Sequence, residues 1–212
     1  METAMTRIPK HIGIIPDGNR RWAAGKGFAK EDGYEHGISP GLELYRICRD
    51  LGVGELTFYG FTVDNTKRPS KQRLAFSAAC VKAVEALSRE NAALLVLGNT
   101  KSAMFPGELL PYTVRHQFGQ GGMKINFLVN YSFEWDLGFH HGAFGPVMRS
   151  SDVSRVDLII RWGGRRRLSG FLPIQSVYSD MYVIDDLWPD FTASHVHDAI
   201  AWYGKQDITL GG

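Results

Sequence analysis

The chain has 212 residues, of which 44% are hydrophobic and 22% are charged, and its formal net charge is +2. This size and composition are typical of a globular protein, and we expect a single domain over residues 1–212. The near balance of charge argues against general nucleic-acid binding. The longest apolar stretch, Ala92–Leu97, is far shorter than the roughly 18 residues of a membrane span. Residues 1–10 lack the apolar region of a signal peptide, so we expect a cytoplasmic protein without a membrane span.

Short apolar runs alternate along the chain with segments of helical periodicity. The runs predict five buried parallel strands, over His11–Ile15, Glu55–Phe61, Leu94–Gly98, Lys124–Asn130 and Val156–Arg161. Helices are predicted over residues 42–49 and 74–87, and a closing helix follows Ser194 as its N-cap. This alternation predicts an α/β fold in which helices flank a central parallel sheet.

The segment after the first predicted strand, Pro16–Trp22, combines an acid, a glycine and two arginines. Ligands of open parallel sheets collect beyond the carboxyl ends of the strands, which makes this segment a candidate site. Backbone N–H groups and the guanidinium groups of Arg20 and Arg21 suit a diphosphate. Asp17 beside that anion suits Mg²⁺, which bridges carboxylate and phosphate oxygens. The alternative is that Asp17 only caps a helix and the arginines are solvated.

Two further segments follow predicted strands in the same way. Arg161–Ser169 holds four arginines and two glycines, which favours an anion with several oxygens, although an RNA contact or a solvated loop would share this composition. Phe61–Pro69 supplies hydroxyl, amide and guanidinium groups. Together the three segments predict two anionic groups held close to each other. The apolar stripe of Leu74–Leu87 would line a pocket for their tails, or it is simply a core helix.

Seven stretches of the sequence, in order along nearly the whole chain, resemble the cis-prenyltransferases of the undecaprenyl diphosphate synthase family. They are His11–Ala23, Thr57–Phe61, Asn65–Pro69, Ile125–Tyr131, Asp157–Gln175, Tyr178–Tyr182 and Leu187–Phe191. The resemblance implies a homodimeric α/β fold with an apolar tunnel. It also implies condensation of an allylic diphosphate with a second isoprenyl diphosphate.

The resemblance also implies roles for individual residues. Asp17 stands at the position of the catalytic aspartate that binds Mg²⁺, and Asp180 stands where a glutamate usually helps with the metal. Asn65 stands near the reacting carbons. Arg161, Arg167 and Ser169 stand at the site of the second diphosphate. The remaining residues implied in substrate binding are Gly18, Asn19, Arg20, Arg21, Trp22, Lys30, Thr62 and Arg68.

Several departures from the usual family pattern are similar to its lavandulyl and cyclolavandulyl diphosphate synthase branch. They are Pro16 before the aspartate, the Arg20–Arg21 pair, the Asp32–Tyr34 stretch and the double glycine after Arg161. Members of that branch join two units head to middle. We therefore expect dimethylallyl diphosphate to condense with dimethylallyl or geranyl diphosphate, giving a branched lavandulyl-type or isosesquilavandulyl-type diphosphate.

Head-to-middle joining leaves a tertiary cation that must lose a proton. Tyr34, Ser132 and the released diphosphate are the candidate bases. Two alternatives stay open at the level of sequence. One is a head-to-tail short-chain cis-prenyl diphosphate synthase that uses isopentenyl diphosphate. The other is a non-catalytic scaffold subunit of a heteromeric prenyltransferase, although such a scaffold has no use for Asp17 beside arginines.

Overall fold

A computed structural model describes residues 7–138, 140–142 and 145–207, and its central feature is a sheet of seven strands. The strands are β1 His11–Ile15, β2 Glu55–Tyr59, β3 Ala92–Leu97, β4 His116–Gln117, β5 Met123–Leu128, β8 Leu158–Arg161 and β9 Asp180–Val183, and a separate hairpin holds β6 His140–Gly142 and β7 Gly145–Val147. The helices are α1 Asn19–Gly25, α2 Ile38–Asp50, α3 Ser70–Leu87, α4 Phe133–Asp136 and α5 Ala193–Tyr203.

The order of the strands in the sheet is β4-β3-β5-β2-β1-β8-β9. Every pairing in it is parallel except that of β3 with β4. The predicted α/β class is therefore confirmed, and the predicted parallel sheet is parallel except at the edge strand β4. The closing helix differs in detail, because α5 has Thr192 rather than Ser194 as its N-cap, and the Thr192 N–H donates to the His195 ring at 3.2 Å.

The register of the central strands brings the three predicted ligand segments to one edge of the sheet. β1 lies between β2 and β8, and Ile15 at its carboxyl end is paired with Arg161. The segments that follow β1, β2 and β8 therefore emerge side by side. Among the described residues, no helix combines the length and the apolar character needed to cross a bilayer.

Both faces of the sheet are covered by apolar side chains, as expected for strands that read as continuous hydrophobic runs. On one face Ile12, Ile14 and Phe58 belong to the larger core, which includes side chains of α2, α3 and α5. On the other face Ile15 and Tyr59 belong to a smaller core. Successive side chains of a strand alternate between faces, so each strand contributes to both cores.

A buried polar network lies near the amino ends of β1 and β2. The His11 ring places Nε2 2.8 Å from Thr57 Oγ1 and Nδ1 3.1 Å from the Ser154 carbonyl oxygen. Asn126 donates to Glu55 at 2.7 Å and to Thr57 at 2.9 Å. Burial lowers the pKa of His11, and the nearby Glu55 carboxylate opposes that effect. The imidazole is therefore held in its neutral form.

The low pKa of His11 makes the stability of the fold depend on pH. Because the folded state resists protonation of this ring, the unfolded state binds more protons below about pH 6.5. We expect the free energy of unfolding to have its full value above that pH and to decrease as the pH falls below it. The decrease from this group is at most about 1.4 kcal/mol per pH unit. Urea titrations of the parent chain and of His11→Gln at pH 7.5 and 5.0 measure it. Equal losses in both proteins would contradict the assignment.

Candidate active site

A cavity of about 600 Å³ opens at the carboxyl edge of the sheet, between the loops that follow β1, β2 and β8. It brings together most of the residues that the sequence motifs single out. Those that line it are Asp17, Gly18, Asn19, Arg20, Arg21, Lys30, Tyr34, Thr62, Asn65, Arg68, Arg161, Arg167 and Ser169. Residues from four separate segments of the chain therefore share one site.

The lining of this cavity is strongly cationic although the chain as a whole is nearly neutral. Seven cationic side chains, those of Arg20, Arg21, Lys30, Arg68, Arg161, Arg165 and Arg167, face two carboxylates, those of Asp17 and Asp64. Seven against two gives a net charge of +5. Asp64 is moreover paired with Lys67 at 2.7 Å, outside the lining. This local excess of charge suits ligands with several anionic oxygens.

Asp17 lies at the centre of the cationic lining. Its Oδ2 accepts a hydrogen bond from Arg161 Nη2 at 3.0 Å, and its Oδ1 lies 3.6 Å from Arg21 Nη2. The N-cap of α1 is Gly18 and not Asp17. The alternative in which Asp17 serves only to cap the helix is therefore wrong, and its carboxylate, whose side chain is 36% exposed, faces the cavity.

A glycine keeps the loop of β8 close to the loop of β1. Gly163 has a φ of +84°, and a Cβ at this position would collide with the Arg21 guanidinium. Arg21 Nη2 donates to the Gly163 carbonyl at 3.0 Å. Arg21 thus spans the two loops, with the Asp17 carboxylate on one side and the Gly163 carbonyl on the other.

Arg161 is buried, and the chain itself occupies much of its guanidinium. Its side chain is only 4% exposed. Besides Asp17, it donates from Nη1 to Ser169 Oγ at 3.1 Å and to the carbonyl oxygen of Arg167. Arg161 therefore holds the loop in shape, whereas Arg165 and Arg167 are exposed on it and are free of ion pairs within the described part of the chain.

Tyr34 and Arg68 form the wall opposite that loop. Arg68 Nη1 donates to Tyr34 Oη at 2.9 Å, and the Tyr34 ring is stacked on Phe76 with 4.5 Å between the centroids. Burial raises the pKa of Tyr34, against the opposing effect of Arg68 and Arg20. Burial has the opposite effect on Arg68 and lowers the pKa of its guanidinium. Nearby, Asn65 Oδ1 accepts from the Thr62 N–H at 3.1 Å, so this oxygen serves the turn over Val63–Lys67.

An apolar pocket of about 70 Å³ adjoins the cationic cavity and shares Pro16, Asn19, Tyr34, Gly60 and Phe76 with it. Its inner part lies between α2, α3 and the sheet, and it is lined by Gly37, Ile38, Gly41, Leu42, Phe58, Ala79, Cys80, Ala83, Leu87, Phe127 and Trp188. The helix α3 thus serves both as a core helix and as a pocket wall. The apolar tunnel expected from the resemblance is not shown; the described residues form this small pocket instead.

The structure does not bring three of the sequence candidates to the cavity. Trp22 lies on the side of α1 away from the lining, where its Nε1 donates to Asp190 at 2.7 Å and its ring is 4.6 Å from that of His36. The helical period explains this, since Arg20, Arg21 and Ala24 share the other face. Ser132 caps α4 by accepting the Trp135 N–H at 3.2 Å and is not part of the lining.

Asp180 lies at the opposite end of the sheet from Asp17. It is paired with Leu158, which is paired with Ile12, so Asp180 is level with the start of β1. Asp17 lies five residues beyond Ile12, roughly 16 Å along the strand direction. Within one chain the two carboxylates therefore do not share a ligand.

The cavity also contains residues to which the sequence motifs assign no role, namely Tyr59, Asp64, Phe76 and Arg165. Arg165 lies within the arginine-rich segment and Asp64 within the segment after β2, so their positions in those segments are a signal that could have found them. Tyr59 reads as one more residue of a buried strand. Only the tertiary structure shows that Tyr59, at the carboxyl end of β2, lines the cavity.

The chemistry of the lining fits one magnesium ion at Asp17. Within the described ranges, no group of three or more His, Cys, Asp or Glu side chains is arranged to hold a metal. Mg²⁺ does not need such a cage, because it is commonly bound by one or two carboxylates together with substrate phosphates and water. Asp17, partly exposed among cationic side chains that suit phosphate oxygens, has the oxygen ligands and the access that this mode needs.

Comparisons with known proteins match most of the chain to one family. A model of the family described as "Putative undecaprenyl diphosphate synthase" matches residues 15–211. The ditrans,polycis-undecaprenyl-diphosphate synthase ((2E,6E)-farnesyl-diphosphate specific) of Yersinia pseudotuberculosis is 30% identical over 97% of this chain and 91% of that protein. An isoprenyl transferase of Nitrosomonas europaea is 30% identical over 96% of this chain and 86% of that protein.

The fold has a counterpart among solved structures. The crystal structure of lavandulyl diphosphate synthase from Lavandula x intermedia, in complex with dimethylallyl diphosphate, superposes with a TM-score of 0.80 and covers 97% of this chain and 99% of that one. At 20% identity this likeness is one of fold. With the family match over residues 15–211, the chain belongs to the undecaprenyl diphosphate synthase family of cis-prenyltransferases, as its motifs predict.

Proposed function

We propose that the chain is a Mg²⁺-dependent prenyltransferase that joins two isoprenyl diphosphates head to middle, dimethylallyl diphosphate with dimethylallyl or geranyl diphosphate, to give a branched lavandulyl-type or isosesquilavandulyl-type diphosphate. The observation that carries the proposal is one cavity with a net charge of +5 beside an apolar pocket. An excess of this size supports two diphosphates rather than one. The branch-like departures, such as Pro16 and the Arg20–Arg21 pair, support the head-to-middle outcome.

The donor would bind on the side of the cavity next to the apolar pocket. Arg20, Lys30 and Arg68 would hold its diphosphate, and its tail would enter the pocket beside Tyr34 and Phe76. At 10–15 Å³ for each water-sized group, about 70 Å³ accommodates roughly five to seven such groups. This room supports a five-carbon tail and hence dimethylallyl diphosphate as donor, since a geranyl tail would require the pocket to widen.

The acceptor would bind at the loop after β8, where Arg167 and Ser169 would hold its diphosphate and Arg161 would keep both in position. Asp17 would bind the Mg²⁺, which supplies positive charge next to the departing diphosphate. Arg21, between the two loops, would stabilise the same leaving group. These contacts favour the transition state because negative charge on the leaving oxygen grows as the C1–O bond breaks.

The internal double bond of the acceptor would then attack C1 of the donor and leave a tertiary cation. Loss of a proton from that cation completes the branched product. Tyr34 lines both the cavity and the apolar pocket, which supports Tyr34 or the released diphosphate as the base over Ser132. Asn65 has its carbonyl oxygen engaged with Thr62, so its amide N–H groups would face the reacting atoms.

The product formed from purified substrates tests the proposal. With Mg²⁺ and dimethylallyl diphosphate alone, we expect a ten-carbon branched diphosphate, identified by mass spectrometry and NMR after removal of the phosphates. The matched incubation adds isopentenyl diphosphate and is expected to leave that product as the main one. Coupling that requires isopentenyl diphosphate would replace the head-to-middle reaction by the head-to-tail one. No coupling with any pair would favour the scaffold subunit.

The head-to-tail short-chain synthase is the second candidate. The observation that favours it is the 30% identity to relatives named as an undecaprenyl diphosphate synthase and an isoprenyl transferase. The same Asp17, Arg161 and Ser169 would serve that reaction, with isopentenyl diphosphate as acceptor. The two candidates differ in the acceptor molecule and in the acceptor carbon that attacks, and the incubation above separates them.

We also propose a homodimer, as the resemblance implies. Ile174, Val177 and Tyr178, directly before the edge strand β9, are large apolar side chains that are about half exposed or more. Such a cluster beside a sheet edge supports an interface with a second copy. Sedimentation equilibrium of the chain is expected to give twice the monomer mass, and Val177→Asp is expected to shift the chain towards monomer. A monomeric parent chain at micromolar concentration would contradict this proposal.

A further inference from the structure

Tyr59 joins β2 to the loop that follows β8. It is the last residue of β2, it lines the cationic cavity, and its hydroxyl donates to the carbonyl oxygen of Ser169 at 2.7 Å. Its ring meets the ring of Phe171 edge-on at 5.4 Å and that of Tyr131 at 6.3 Å. The hydroxyl is therefore aimed by a ring that has little freedom to turn.

Ser169 has a backbone conformation that needs such support. Its φ is +54°, in the left-handed region that residues other than glycine rarely adopt. A residue keeps this conformation when its surroundings hold it from several sides. Here the hydroxyl of Tyr59 holds the Ser169 carbonyl, and Arg161 Nη1 holds the Ser169 hydroxyl at 3.1 Å.

These contacts form an unbroken series from β2 to the candidate metal ligand. Tyr59 donates to Ser169, Arg161 donates to Ser169, and the other terminal nitrogen of Arg161 donates to Asp17 at 3.0 Å. A shift of Ser169 would therefore change where the Arg161 guanidinium lies. Burial raises the pKa of Tyr59, so its hydroxyl keeps the proton that it donates across the range of working pH.

We propose that Tyr59 is a positioning residue for the acceptor site: its hydroxyl fixes Ser169 in the left-handed conformation and so orients Ser169 Oγ and the Arg161 guanidinium toward one diphosphate. The inference rests on the proposed function, because that function assigns the loop after β8 to the acceptor. Tyr59 itself contacts no reacting atom in this role. Tyr59 lies within the stretch Thr57–Phe61, but the resemblance implies no role for it.

Tyr59→Phe tests the inference, because it removes the hydroxyl and keeps the ring. Tyr131→Phe is the matched control, since Tyr131 is also buried but donates to Asp136, at 2.7 Å, instead of to the acceptor loop. Hydrogen exchange followed by mass spectrometry on peptides covering residues 167–171 is the first readout. We expect faster exchange there in Tyr59→Phe and parent-like exchange in Tyr131→Phe.

Kinetics supply the second readout. Geranyl diphosphate is the donor, although its tail requires the apolar pocket to widen, because a donor that differs from the acceptor, dimethylallyl diphosphate, lets the two sites be titrated separately. The loss of one net hydrogen bond predicts a rise of about 2- to 10-fold in the KM of the acceptor. The KM of the donor is expected to stay unchanged. A general loss of stability would not produce this combination of a raised acceptor KM and an unchanged donor KM.

The exchange measurement keeps this inference separate from the proposed function. If no substrate pair reacts even in the parent chain, the proposed function fails, and faster exchange confined to residues 167–171 in Tyr59→Phe still supports the anchoring of Ser169. Parent-like exchange in Tyr59→Phe would overturn the inference whatever the activity. Equal rises in both KM values would overturn it as well, because they would indicate a structural role only.

Discussion

Asp17→Asn is expected to lower kcat by about 10³-fold. An amide is the same size as the carboxylate but carries no charge, so it would bind Mg²⁺ weakly and leave the leaving group without its metal. The loss of one well-placed electrostatic group in an active site typically costs 10²- to 10³-fold, and here a metal and an ion pair are affected together. Steady-state rates over a range of Mg²⁺ concentrations measure the effect, with Mg²⁺ affinity determined separately by calorimetry in the presence of inorganic pyrophosphate.

The chain provides a matched control for this variant. Asp152 pairs with Arg115 at 2.7 Å, and this pair also joins a partly exposed carboxylate to a largely buried arginine. It lies outside the cavity lining. Asp152→Asn is therefore expected to change the melting temperature about as much as Asp17→Asn does, but to leave kcat within about twofold. Activity of Asp17→Asn near that of the parent chain would remove Asp17 from the mechanism.

Arg161→Ala is expected to reduce kcat/KM for the acceptor by about 10²- to 10³-fold, more than Arg167→Ala does. The exposed Arg167 would make one charge-assisted contact to the acceptor diphosphate, for which about 1.5 to 3 kcal/mol, or roughly 10- to 100-fold in the KM of the acceptor, is typical. Arg161 is buried and also holds Asp17 and Ser169, so its loss disturbs the metal ligand and the loop together. Initial rates at varied acceptor concentration measure both variants.

Arg161→Lys separates charge from geometry at this position. Lysine keeps the positive charge but lacks the planar fork that serves Asp17 and Ser169 at once. We expect it to recover at most a small part of the activity lost in Arg161→Ala. Full recovery by lysine would show that charge alone matters, and effects of equal size for Arg161→Ala and Arg167→Ala would contradict the bridging role.

The strands show how much of the fold can be predicted from the sequence. Each of the five predicted strands overlaps a strand of the structure, because the central strands of a parallel sheet are buried on both faces and read as apolar runs. The edge strand β9 has no such run, since all four residues of Asp180–Val183 are only partly buried. The two-residue strand β4 is too short to have a pattern at all.

The sequence likewise predicts only part of the candidate site. The positions of Pro16–Trp22 and of the arginine-rich segment directly after strands were enough to predict that the two segments would meet, because the carboxyl ends of parallel strands lie at one edge of the sheet. Two of the roles that the motifs imply for single residues do not agree with the cavity. Trp22 faces away from it, and Asp180 lies at the other end of the sheet.

The sequence by itself determined the α/β class, the family and the chemical character of the site, because these depend on residue types and on local order along the chain. Only the tertiary structure decided that Arg161 is buried against Asp17, that Tyr59 supports Ser169, and that the apolar pocket is small. The physical reason is separation along the chain. Arg161 and Asp17 are 144 positions apart, and strand order and register alone bring their atoms to 3.0 Å.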